Sequence, residues 1–314
     1  MKYFLPVICL LLCSSAFAQQ TAFKVIPLGV KGGADESNLS AYLVAPQGSD
    51  SYICLDAGTL HAGLQKAVNN GLFKKTAGEA LRQNIKGYCI SHPHLDHVAG
   101  LIINSPDDTA KTIYGLPFCL DVIQDKYFSW KSWANFGDTG EMPQLKKYHY
   151  YPLTPRKATP LAQTDLSVQA YPLSHSATSH STAFLLRVKN AYLLYLGDTG
   201  ADAVEKSDKL LQLWQTVAPL LKARQLKAIF IEVSFPEEQP RSQLFGHLTP
   251  GLLMQEIRRL DSLAGPHSIN NLPVVITHIK PSGNNEAMIR KQLAGMNKPG
   301  LRLIFPEQGK LLVF

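Results

Sequence analysis

Short apolar runs, separated by polar turns carrying glycine or proline, recur along most of the chain. Residues 23–28, 41–45 and 52–56 read as strands, with Gly29, Gly32 and Gly33 in the link between the first two. Residues 60–84 carry a helical pattern broken at Gly71, and the apolar-leaning run 85–90 reads as a buried strand. A helix is expected to open at Val98, and 112–115, 148–153 and 166–173 read as further strands. Residues 184–188 and 191–196 form an expected hairpin around Lys189-Asn190. Leu210, Leu213, Val217, Leu220 and Leu221 recur at helical spacing, which predicts an amphipathic helix over 207–224. After a strand at 228–233, Thr249 is placed to cap a helix with Pro250 at its first position. A strand at 272–277, a helix near 285–295 and two short strands at 301–305 and 310–314 finish the chain. No repeat or interdomain linker interrupts this alternation, so the pattern fits one α/β domain built as a two-sheet sandwich.

The N-terminus departs from this pattern. Lys2, an apolar stretch over 4–13 and Ala16-Phe17-Ala18 before Gln19 have the layout of a cleaved secretory signal. The expected organisation is therefore a signal peptide at 1–18 and a single catalytic domain at 19–314, in a periplasmic or secreted protein. Cys9 and Cys13 would leave with the leader. Cys54, Cys89 and Cys119 remain, too few and too odd in number for a disulfide framework. Cys54 and Cys89 fall in expected strands and read as buried thiols, with one disulfide left open.

Composition narrows the partners. Hydrophobic residues make up 45% of 314 positions and charged residues 18%, ordinary values for a folded protein. The formal charge of +7 suits an anionic substrate, phosphate foremost. No long basic block is interleaved with aromatics, so nucleic acid is not an expected partner.

The chemistry concentrates in His92-Pro93-His94-Leu95-Asp96-His97, where four metal-competent side chains fall within six residues. A strand-to-helix loop can converge alternate side chains on one point, and imidazole nitrogen with carboxylate oxygen suits zinc and similar divalent ions. The pattern H-x-H-x-D-H resembles the metal-binding loop of the metallo-β-lactamase superfamily. The longer run from His92 through Asn104-Ser105-Pro106 resembles, more narrowly, the class II 3′,5′-cyclic-nucleotide phosphodiesterases.

That resemblance implies an αββα fold, two mixed sheets flanked by helices. It implies that one ion takes His92, His94 and His175, a second takes Asp96, His97 and His278, and Asp198 bridges them. His175, Asp198 and His278 each follow an expected strand, at one rim of the sheets. Two divalent ions, zinc first by donor type, would lower the pKa of water so that a metal-bound hydroxide attacks phosphorus. Manganese and iron also fit the donor types. Asp96, Glu232 and His247 are the expected catalytic residues, Glu232 orienting His247 toward a phosphoryl or leaving oxygen. Asp56, at a strand end beneath the loop, is read either as the partner of a ligand histidine or as a turn cap.

Substrate contacts are expected from Trp130 and Trp133, in an aromatic-dense stretch a purine could stack against, and from His180, Arg241 and Lys280. The implied substrate is a small cyclic nucleotide, cAMP, with cGMP left open. No membrane contact is expected after leader removal, and a homodimer is left open. The competing readings are a β-lactamase or thioesterase on the same scaffold, and a non-catalytic protein that binds metal or nucleotide.

Overall fold

The computed structural model describes residues 21–176, 178–298 and 300–314. The leader expected at 1–18 lies outside them. Two seven-stranded mixed sheets pack face to face. The first runs β14(Leu312–Val313), β1(Phe23–Gly29), β2(Ala41–Pro46), β3(Tyr52–Leu55), β4(Ile85–Cys89), β5(Lys111–Gly115), β6(Tyr148–Pro152). The second runs β13(Arg302–Ile304), β12(Pro273–Thr277), β11(Leu226–Glu232), β10(Ala191–Leu196), β9(Ser179–Val188), β8(Ser167–His175), β7(Thr159–Pro160).

Strand residues alternate between two buried faces. In β1, Val25 enters the core between the sheets, with Tyr42, Leu55, Phe184, Tyr195 and Phe230. Its neighbour Ile26 faces the outer helical layer, beside Leu64, Val98 and Leu101. The second sheet repeats the scheme under α6(Lys209–Lys222), α7(Pro250–Ala264) and α8(Asn285–Met296), where Trp214, Ile257 and Leu293 cover Ile229 and Ile231. Each such apolar side chain contributes about 1.5–3 kcal/mol by burial. The layers are helix, sheet, sheet, helix, as expected.

This topology positions the site. Strands β3, β4 and β5 are parallel, as are β10, β11, β12 and β13. Their C-terminal ends share one rim, and the end of β8 joins it because β9 is antiparallel to both β8 and β10. The helix after the metal loop, α3(Leu95–Asn104), begins three residues earlier than expected, so Asp96 and His97 lie on its first turn. That turn suits a carboxylate, which faces the positive end of the helix dipole. Gly58 lets the turn approach: a Cβ there would stand 2.1 Å from the Asp96 carbonyl oxygen.

Candidate metal centre

Seven expected ligands come together at this rim as overlapping groups of donors, with His247 and Glu232 adjoining them. His94 Nδ1 lies 3.1 Å from His92 Nε2 and 3.4 Å from His175 Nε2. On the other side, His278 Nε2 lies 3.1 Å from Asp96 Oδ2. Asp198 stands between the groups: Oδ1 is 3.3 Å from His97 Nε2, and Oδ2 is 3.2 Å from His278 Nε2 and 3.7 Å from His92 Nε2. Donors on a tetrahedral zinc, each about 2.0–2.1 Å from the ion, lie roughly 3.3 Å from one another. The spacing therefore fits a shared cation.

The protons fit as well. His97 Nδ1–H donates to Asp56 Oδ2 at 2.8 Å, and His175 Nδ1–H donates to the Gly246 carbonyl at 3.0 Å. Ser91 Oγ donates to Asp56, so it accepts from His92 Nδ1–H at 2.9 Å. Ser234 Oγ donates to Glu232, so it accepts from His278 Nδ1–H at 2.9 Å. All four rings are fixed with Nε2 lone pairs facing inward. Buried lone pairs in that arrangement repel unless a cation joins them, and His97 Nε2 is fully buried without a hydrogen-bond partner.

The electrostatics ask for positive charge at the same place. Burial, reinforced by His97, pushes the His92 imidazole well below its ordinary range, and burial lowers His94 and His175 too. These rings stay neutral, the form that ligates metal. Burial opposes charge on His97, but Asp198, Asp56 and Asp96 outweigh it and hold the ring well above its usual value, so a proton takes the inward Nε2 wherever no cation does. Burial likewise disfavours the Asp198 carboxylate, yet His278 and His97 keep it ionised.

Beside the cluster, Glu232 is fully buried at the end of β11. It accepts from His247 Nδ1–H at 2.8 Å and from the Thr199 amide at 3.0 Å, which ties it to the Asp198 loop. Burial works against the imidazolium of His247, but Glu232 overcomes it and raises the ring above its ordinary range. Asp56 resolves as the anchor of the metal loop, for it also accepts from the Ser91 amide and the Tyr195 hydroxyl at 2.7 and 2.6 Å. Ser91, Ser234 and Tyr195 were not legible as site residues, because isolated hydroxyls have no diagnostic spacing.

The expected substrate contacts divide. Lys280 is half-buried at the rim, with Nζ 5.8 Å above the Phe235 ring and 3.8 Å from where a Gly33 Cβ would stand; the Gly33 amide donates to Asp96. His180 packs on Phe118, ring centroids 5.8 Å apart, and Arg241 opens a short turn in the loop before His247. The indole N–H groups of the two tryptophans are engaged away from the donor groups. Trp133 Nε1 donates to Ser105 Oγ at the far end of α3, nine residues or about 14 Å along the helix from Asp96. Trp130 Nε1 donates to the Pro143 carbonyl. From the same aromatic stretch it is Tyr127 that reaches the metal loop, its hydroxyl 2.8 Å from the Pro93 carbonyl. A cavity of about 960 Å³ lined by Lys222, Arg224 and Arg302 lies at the opposite ends of β11–β13, a strand's length away.

The sequence profile described as "cAMP phosphodiesterases class-II" matches residues 18–309. The chain belongs to that family. It is 43% identical over 320 residues to the 3′,5′-cyclic-nucleotide phosphodiesterase of Aliivibrio fischeri, an alignment covering 96% of this chain and 97% of the relative. Among solved structures, unliganded yeast PDE1 superposes with a TM-score of 0.84 at 24% identity, covering 94% of this chain and 100% of that one. The metallo-beta-lactamase fold protein YhfI from Bacillus subtilis superposes at 0.61 with 17% identity, covering 93% and 100%. The family's fold is thus the metallo-β-lactamase sandwich, and its His/Asp cluster is capable of binding metal.

Proposed function

We propose that the protein hydrolyses 3′,5′-cyclic nucleotides, cAMP and cGMP among them, to 5′-nucleotides with the help of two divalent cations, zinc by donor type. His92, His94 and His175 would hold one ion, and Asp96, His97 and His278 the other. Asp198 would contact both. Such ions supply an activated water near neutral pH and neutralise charge on the phosphate. The observation that carries the reading is the pair of donor groups meeting at Asp198 in a chain of this family.

The chain's own residues do the rest. Glu232 fixes His247 with Nδ1 protonated, which leaves Nε2 as the atom that meets substrate. Because Glu232 favours the imidazolium, His247 holds a proton at Nε2 for the departing ribose 3′-oxygen. Asp96 is fixed by the Gly33 amide and His278, so the rim beside the phosphate is set before substrate arrives. The layout of residues 1–18 supports export with mature protein beginning at Gln19, which N-terminal sequencing of secreted material checks.

Steady-state assays with cAMP, cGMP, a chromogenic cephalosporin and a glutathione thioester test the activity. Turnover of the cyclic nucleotides alone is expected. Faster turnover of the lactam or the thioester would move the assignment to acyl chemistry.

A further inference from the structure

The loop between β11 and α7 carries two features that the metal chemistry does not use. Phe245 is 66% exposed, and its backbone is left-handed at φ 51°. A bulky side chain rarely adopts that conformation, and such residues gather where a ligand is clamped. Its neighbours fix its place. The next residue, Gly246, accepts the hydrogen bond from His175, and the one after is His247 of the Glu232 pair. Phe245 is therefore an uncovered aromatic held within about 7 Å of chain from the residue that meets the phosphate ester. The second feature is Phe235, whose ring packs edge-on against His247 at 5.7 Å and carries Lys280 Nζ on its face. The Lys280 backbone amide donates to the Ser234 carbonyl, but its ammonium has no hydrogen-bond or ion-pair partner among the described residues. On the metal loop, Leu95 is also 62% exposed, between His94 and Asp96.

We infer that Phe245 is the surface on which the base of the cyclic nucleotide stacks, with Leu95 as a second apolar contact and Lys280 as the ion pair for the phosphate. This rests on the phosphodiesterase reading above. It replaces the tryptophan platform expected from sequence, since Trp133 is tied about a helix length from the centre. A flat base joined to its phosphate through one sugar spans the short distance between the cluster and this loop. A base offers a π-face whatever its identity, so stacking on Phe245 admits adenine and guanine alike.

The test compares parent, Phe245→Ala, Phe245→Trp and Trp133→Ala on cAMP and on methyl p-nitrophenyl phosphate, a diester without a base. Phe245→Ala is expected to raise KM for cAMP about tenfold or more, with little change in kcat. It should leave kcat/KM for the simple diester within about twofold, and Phe245→Trp should restore the cAMP value. An unchanged KM for cAMP in Phe245→Ala, or equal losses on both substrates, overturns the inference while leaving the phosphodiesterase reading intact. A Trp133→Ala enzyme that loses cAMP affinity where Phe245→Ala does not would return the base to the tryptophans. A parent that cleaves the simple diester but not cAMP sinks the underlying reading instead.

Discussion

His97 and Asp56 share a 2.8 Å hydrogen bond beneath the cluster, and Asp56 reaches that position with a left-handed backbone at φ 52°. Asparagine tolerates this conformation, so Asp56→Asn isolates the carboxylate's charge. It should weaken metal binding about 10- to 100-fold in a chelator competition. Asp56→Ala also strands the Ser91 and Tyr195 donors, and should cost a further 1–3 kcal/mol in urea unfolding.

Glu232→Gln tests the carboxylate that raises His247. Because Ser234 joins Glu232 to His278, the variant is assayed at saturating metal, where kcat for cAMP should still fall about 10²- to 10⁴-fold. The pH profile gives the sign. Glu232 raises His247, so a proton donor at His247 stays charged to higher pH in the parent. Without that carboxylate the ring titrates lower, and the high-pH limb of the activity profile should move toward acid.

Gly32 lies far from the metal loop in sequence but against the His278 ring of the cluster in space. A Cβ there would fall 2.2 Å from His278 Cε1, and the ring is pinned by Ser234 and Asp96. Gly32→Ala should therefore displace His278 and lower metal affinity about tenfold or more, with the fold intact by circular dichroism.

A stability effect is expected away from the site. Burial raises the Glu256 carboxyl, while Trp214 Nε1–H, which donates to it at 3.1 Å, pulls the other way. A carboxyl raised in the folded state stabilises the fold while protonated, and that contribution is lost as pH rises through its folded pKa. In denaturant titrations Glu256→Gln, which keeps an acceptor for Trp214, should gain on the parent as pH rises from 4 to 8.

The sequence was most informative where one physical signal dominated. Apolar runs on both faces marked β1, β3, β4, β11 and β12, and Thr249-Pro250 marked the start of α7. The sequence places the start of α3 at Val98, because Leu95-Asp96-His97 reads as loop. Only the tertiary contact at Gly58 shows these residues turned into helix. Strand β9 begins at Ser179, not at Phe184, because polar residues there pair with β8, His180 opposite Ser174. Period-two patterning cannot report a strand segment such as Ser179–Thr182, in which every side chain is polar. The clustered histidines and aspartates were readable because these residue types at strand ends are rare in combination. The hydroxyls of Ser91, Ser234 and Tyr195 gain meaning only from their partners in space. Tryptophan content likewise drew attention to Trp130 and Trp133, whose indole N–H groups are committed elsewhere.

The account turns on Asp198 joining two cations. Elemental analysis of the purified protein, paired with cAMP turnover for the parent and Asp198→Asn, tests this most directly. About two divalent ions per parent chain are expected. The variant should lose at least one of them, with a fall in turnover of about 10³-fold or more. A parent that hydrolyses cAMP without metal, or an Asp198→Asn enzyme with undiminished metal and turnover, would contradict it.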